Sequence, residues 1–371
     1  MEFPSIEQLR ARGTRKWTVY DEDVLPLWIA ESDFPTAPAV AEEIQRCVSD
    51  ETFGYSPAPK ASGLPEAVSN FYSNRFGWRP NPSHVFWIGD VVRGLVLGVQ
   101  NFTRPDSPVI VPTPAYPPFL EIPKTVGREK IETSLDLNEI EEAFARGAGS
   151  ILLCNPYNPL GKVLDSDFLS AIAELAHRYS ARILADEIHA PLVYSGQHIP
   201  IASLAPEHTI TVTATSKAWN TAGLKCAQII FSNNDDAATW RGLTGVARDG
   251  TGTLGIFAAE AAYRHGLEFL DKQVEYLSST RTWLCEQFAE KIPGLKHTVP
   301  DATYLMWLDF REFDLEKPGA WLVENARVAL NEGLSFGAAG RGHARLNFST
   351  SRDILSTAVD RIADALAPLH P

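Results

Sequence analysis

No Cys-x-x-Cys pair occurs in this chain. Its four cysteines, Cys47, Cys154, Cys226 and Cys285, stand far apart, which argues against a zinc knuckle or redox dithiol and leaves buried free thiols as the expected state. No apolar run approaches the ~20 residues that span a bilayer, and the opening stretch Met1 to Arg10 has no hydrophobic signal core. A cytoplasmic protein with no membrane partner is therefore expected. Positive charge is scarce: 33 Lys and Arg against 46 Asp and Glu leave a formal net charge of −13, a field that repels phosphate backbones, so nucleic acid is not an expected partner. Low-complexity tracts, long like-charge runs and internal repeats are absent, and none of the nine histidines falls in a His-Glu-x-x-His or similar metal spacing.

What remains is an ordinary folded chain of 371 residues, 44% hydrophobic and 21% charged, long enough for two domains. Short runs rich in valine and isoleucine recur at Pro108–Val111, Ser150–Cys154, Ala181–Ala185, Thr209–Thr213 and Ala227–Phe231. Between them lie segments of helical period. In Asp167 to Tyr179, for example, Phe168, Ile172, Leu175 and Ala176 share one face. That alternation predicts strands joined by crossover helices in a largely parallel sheet. From Ile256 to about Lys291 the pattern predicts nearly unbroken helix, followed by strands at Tyr304–Asp309 and Ala344–Phe348 in a second, smaller unit.

The chemistry gathers at strand ends. Lys217 follows the apolar strand ending at Thr213 and precedes Trp219 and Ala222-Gly223-Leu224, a close-packed turn rather than the surface where a lone lysine normally sits. Partial burial lowers a lysine's pKa and leaves neutral amine available as nucleophile and base. Asp186 closes the strand before it, 31 residues upstream, where an acid in an open parallel sheet points into the ligand crevice. A lysine that bonds to pyridoxal 5'-phosphate and an acid that keeps the pyridine nitrogen protonated form such a pair. Asn158 stands in the rigid Asn155–Gly161 turn, where it could meet the cofactor's phenolate oxygen, and Tyr116, after another strand, offers a flat ring for stacking. Gly89 to Gly94, with Val91 and Val92 as candidate cofactor contacts, leads into a helix expected from Leu95 to Phe102, whose N-terminal amides make an anion seat suited to a phosphate.

These residues carry a resemblance. With Leu27-Trp28-Ile29-Ala30, Asp33-Phe34, Phe53-Gly54-Tyr55, Asp186-Glu187-Ile188-His189 and Arg345-Leu346-Asn347-Phe348, they stand in the order found in fold-type I pyridoxal phosphate enzymes of the aminotransferase class I/II superfamily. More narrowly the chain resembles the MalY/PatB-type cystathionine beta-lyases. The resemblance implies an α/β fold: a large domain with a mostly parallel seven-stranded sheet between helices, and a smaller α+β C-terminal domain. It divides the chain into an N-terminal segment, 1–47, packing with the small domain, a cofactor-binding domain, 48–280, and a small domain, 281–371. It also implies Lys217 as the lysine bonded to the cofactor, Asp186 on the pyridine nitrogen, Asn158 and His189 beside the ring, and Tyr116 stacked on it with a secondary catalytic role. Thr215 or Ser216, with Lys225, would add phosphate donors. Arg345 would grip the substrate carboxylate, a role its planar guanidinium suits on physical grounds. Tyr55 would reach in from the neighbouring subunit of a homodimer.

Transaminases of the superfamily commonly carry Tyr, Ser and Arg where this chain has His189, Ala214 and Lys225. The histidine and Lys225 suit the lyases, whereas Glu31-Ser32 replaces the Asp-Met more usual there. Gly250-Thr251-Gly252-Thr253-Leu254-Gly255 matches a dinucleotide fingerprint, but no convincing strand precedes it. The expected reaction is beta-elimination from an L-amino acid thioether such as cystathionine, giving a thiol, pyruvate and ammonia. Transamination on the same fold and a regulatory binding protein retaining the cofactor site are the alternatives.

Overall fold

The computed structural model describes residues 3–369. Its central sheet has seven strands in the order Val85–Ile88, Ala227–Phe231, Thr209–Thr213, Arg182–Asp186, Ser150–Cys154, Val109–Pro112 and Lys130–Thr133. Ala227–Phe231 runs antiparallel to both of its neighbours and the remaining pairs are parallel. The expected strands are all present. The two that sequence pattern does not announce, Val85–Ile88 and Lys130–Thr133, are the edges of the sheet. Edge strands need only one covered face, and Lys130-Ile131-Glu132-Thr133 alternates accordingly, with too little apolar character to stand out.

Alternation along the central strands sorts side chains into two buried layers. Ile151, Leu153, Ile183 and Ala185 join one core, while Leu152, Leu184, Ile210 and Val212 join the other. The second layer contains the helix Val91–Phe102, which runs close to the sheet: an added β carbon at Gly94 would collide with Ile88 and lie 2.8 Å from Val212, and one at Gly98 would collide with Leu184. Only glycine permits that approach, which carries the start of the helix to the carboxyl ends of the strands.

A helix at Gly245–Arg248, not a strand, precedes Gly250, and Thr253–His265 follows as helix, so the glycine-rich stretch lacks the strand-turn-helix setting of a dinucleotide site. The long helix expected from Ile256 onward is interrupted: Thr253–His265 ends at Gly266 and Leu267–Lys291 begins directly after it. The indole nitrogen of Trp219 donates to the Gly266 carbonyl at 3.0 Å, and a β carbon at Gly266 would sit 2.5 Å from that nitrogen. Helical periodicity continues across the break, which is why it does not show in the sequence.

Beyond it, an antiparallel sheet of four strands in the order Asn331–Glu332, His343–Asn347, Leu305–Asp309 and Lys296–His297 is backed by the helices Leu267–Lys291 and Arg352–Leu366. The N-terminal segment is woven into this part of the molecule: Leu25–Pro26 pairs in parallel with Val328–Ala329, and Asn347 donates its amide to the Leu27 carbonyl at 2.9 Å. No helix among the described residues is long and apolar enough to cross a membrane. Cys47, Cys154 and Cys226 are buried free thiols, and Cys285 is half-buried.

Candidate active site

A cavity of about 360 Å³ opens at the carboxyl ends of the central strands. Cys154 and Asp186 line it from the strand ends; with Val212 they are paired across adjacent strands and point to the same side as Leu152, Leu184 and Ile210. Asp186 is 3% exposed, and one carboxylate oxygen accepts the Ile188 amide at 3.0 Å, an Asx-type turn rather than a helix cap. Among the described residues it has no salt-bridge partner. Burial pushes its pKa up to about 7, against the pull of the Ile188 amide and Lys217. A buried acid of this kind lacks only a cation.

Lys217 stands in the same cavity, and its ammonium donates to the Ala30 carbonyl at 2.8 Å. Burial, reinforced by the positive charge of Arg345, brings its pKa down to about 8, while Asp186 and Glu31 pull the other way. About a tenth of the amine is then neutral at pH 7, far more than for an ordinary lysine.

Arg345, 2% exposed in the strand His343–Asn347, reaches from the small sheet to Asn158 in the cavity wall without lining the cavity itself. Its terminal nitrogens donate to the Asn158 side-chain oxygen at 3.0 Å and the Trp28 carbonyl at 3.1 Å, and its carbon lies 4.9 Å from the Phe336 ring centroid. Nε has no partner, and no carboxylate pairs with it among the described residues. Burial lowers its pKa to about 10. An ordinary ion pair, the alternative for an arginine here, is thus not what the structure contains.

Tyr116 heads the helix Pro117–Thr125 and lines the cavity, its hydroxyl pKa raised by burial. His189, 2% exposed, lines it too. Its pKa lies well below the usual histidine value through burial and the nearby charges of Lys217 and Arg345, so it is neutral, and its Nδ1 has no partner. Val91 and Val92 form another wall at the start of the helix Val91–Phe102, where the Asp90 side chain takes the Arg93 amide at 2.8 Å. Lys225 forms an ion pair with Asp90. Of the two hydroxyls left open by the sequence, Ser216 faces the cavity, whereas Thr215, 1% exposed, is tied to the Thr221 hydroxyl at 2.7 Å and does not line it. Tyr55 is fully exposed and lies outside the cavity of its own chain.

Some participants gave no sequence signal. The carbonyl of Ala30 receives both Lys217 and the Tyr304 hydroxyl, the latter at 3.0 Å, and backbone acceptors cannot be read from residue type. Glu187, adjacent to Asp186, turns away from the cavity and meets His198 at 3.3 Å, both side chains fully buried.

The cavity is lined by an uncompensated acid, a neutral histidine, a helix N-terminus flanked by a lysine, and a lysine of lowered pKa. That set fits the pyridine nitrogen, ring, phosphate and aldehyde of pyridoxal 5'-phosphate. The chain belongs to the aminotransferase class I and II family, whose pattern matches residues 22–362. Within that family it is 50% identical over 373 residues to the cystathionine beta-lyase of Corynebacterium glutamicum, covering 99% of this chain and 100% of that protein. It is also 30% identical over 391 residues to cystathionine beta-lyase PatB of Bacillus subtilis, covering 99% and 100%. The solved structure of a Corynebacterium diphtheriae protein assigned as a PLP-dependent beta-cystathionase superposes with a TM-score of 0.97 at 51% identity, covering 99% of each chain.

Proposed function

We propose that this protein is a pyridoxal phosphate-dependent carbon-sulfur beta-lyase that cleaves L-cystathionine and related cysteine S-conjugates. The observation that carries the reading is an amine and an acid without a cation lining one cavity, Lys217 and Asp186, with a guanidinium that has no anion, Arg345, held behind the lining residue Asn158. The relatives named as cystathionine beta-lyases support it over transamination.

In this reading the bound cofactor supplies an electron sink for the negative charge left at the substrate's Cα. Asp186 would hold the pyridine nitrogen protonated, Asn158 and His189 would border the ring, and Tyr116 would stack on it. The amides of Val91 and Val92, with Ser216 and Lys225, hold the phosphate; Thr215 acts through Thr221 to shape that turn. Arg345 binds the α-carboxylate. Lys217 would take the Cα proton and deliver a proton to the departing sulfur, and Tyr116 would assist by accepting a proton from the substrate ammonium. The C–S bonding pair leaves with sulfur, and water converts the remaining three-carbon fragment to pyruvate and ammonia.

The division into 1–47, 48–280 and 281–371 belongs to the same reading, as do a cytoplasmic location and a homodimer in which Tyr55 enters the partner's site. The full exposure of Tyr55, with Phe53 at 63%, supports that interface. The test is to add L-cystathionine, cystine and S-alkylcysteines to purified protein with pyridoxal phosphate and no keto acid. Pyruvate is expected in equal amounts with thiol, or with cysteine persulfide when cystine is the substrate; amino transfer that requires an added keto acid would overturn the lyase reading.

A further inference from the structure

Lys16 and Asp33 are among the most deeply buried charges in the molecule, 0% and 1% exposed, with 2.7 Å between ammonium and carboxylate. Both carboxylate oxygens are used. Trp17 donates its indole nitrogen to the other Asp33 oxygen at 2.8 Å, and Lys16 also donates to the Glu31 carbonyl at 3.1 Å. A buried ion pair is a poor device for stability alone, since apolar residues of similar volume generally serve as well or better. What this pair does hold is the strap Trp28 to Asp33.

That strap touches both halves of the cavity. On the large-domain side the Ala30 carbonyl receives Lys217, and Asn220 grips Ser32 through both amide and carbonyl, at 3.2 and 3.0 Å. On the small-domain side the Trp28 carbonyl receives Arg345, Asn347 donates to the Ile29 and Glu31 carbonyls at 2.7 Å each, and the Asp33 amide donates to Ser349. Lys217 and Arg345 therefore rest on the same short piece of chain, and Lys16–Asp33 fixes its end.

We propose that Lys16 and Asp33 are a positioning pair, holding the strap so that Ala30 and Trp28 keep Lys217 and Arg345 at the separation an α-amino acid requires. Only the assignment of Arg345 to the substrate carboxylate rests on the lyase reading.

The test compares Lys16→Met, Asp33→Asn and the double variant with wild type, using melting temperature, kinetics on S-methyl-L-cysteine, and the pH dependence of pyridoxal phosphate capture by apoprotein. Each single variant, left with one unpaired buried partner, is expected to melt lower. The neutral double variant, in which the introduced amide oxygen can still accept from Trp17, should recover most of the melting temperature. Its KM should nevertheless stay raised about tenfold while kcat changes less. Its capture midpoint should move above the wild-type value, expected near 8, as a looser strap admits water to Lys217. If KM and midpoint return to wild-type values together with the melting temperature, the pair only stabilises the fold and the proposal fails. If wild type releases no thiol from any substrate, the lyase reading fails and the apoprotein midpoint decides the proposal by itself.

Discussion

The side chains of Lys217 and Arg345 end on carbonyl oxygens two residues apart, Ala30 for the ammonium at 2.8 Å and Trp28 for the guanidinium at 3.1 Å. A carbonyl carries only a partial charge, so both cations are hydrogen-bonded without being neutralised. Each retains a strong preference for a better partner: an aldehyde carbon for the lysine, a carboxylate for the arginine.

If Lys217 is both nucleophile and base, replacing it by alanine removes the two together. Lyase turnover is expected to fall by at least roughly 10³-fold, given the 10²–10⁴ that a positioned base alone contributes. Wild type is expected to show a visible cofactor band that borohydride bleaches, and the purified variant should lack it. Retained turnover, measured as pyruvate release, would remove Lys217 from the chemistry.

Arg345→Lys keeps the charge and loses the fork. With a charged hydrogen bond worth about 2 kcal/mol, KM for S-alkylcysteines should rise roughly 30-fold, and kcat should change less. Steady-state kinetics decide this; an unchanged KM would mean that the carboxylate is held elsewhere.

Asp186 should make the apoprotein's stability depend on pH in an unusual direction. Its folded pKa, about 7, lies above the unfolded value of ~3.9, so its favourable contribution is complete below pH ~4 and is lost as pH rises through 7. The melting temperature of apoprotein should drift down across that window. In Asp186→Asn that component of the drift should vanish, and added pyridoxal phosphate should offset it in wild type by supplying the missing cation. Activity of Asp186→Asn should drop sharply, because an amide cannot hold the ring nitrogen protonated.

If Tyr55 serves the neighbouring subunit, Lys217→Ala and Tyr55→Ala chains should complement each other. A mixed dimer contains one cavity with Lys217 from one chain and Tyr55 from the other. Unfolding and refolding the two variants together should give more activity than either alone. Activity no higher than that of the Tyr55 variant would place Tyr55 outside its partner's site.

Much of this was legible in the sequence. Central strands such as Ser150–Cys154 announce themselves because they are apolar on both faces, and the strand-end residues Asp186 and Lys217 could be paired from their spacing alone. The edge strand Lys130–Thr133 could not, since half its side chains face water, and neither could the break at Gly266, which a tryptophan from another segment enforces. Asn158 and Arg345 each stand out separately, but their hydrogen bond joins residues 187 positions apart, and no local pattern encodes it. Equally invisible was which of Thr215 and Ser216 faces the cavity, since Thr215 is tied to the Thr221 hydroxyl.

Asp186 and Glu187 are neighbours with nearly the same functional group, yet the pleat sends one to the cavity and the other to His198. Adjacency along the backbone therefore offers no reserve: a lineage that lost the first acid could not recruit the second without shifting the whole strand by one place. Such a slip would also trade the contents of two hydrophobic layers. The position is frozen by the fabric around it as firmly as by the chemistry proposed for it.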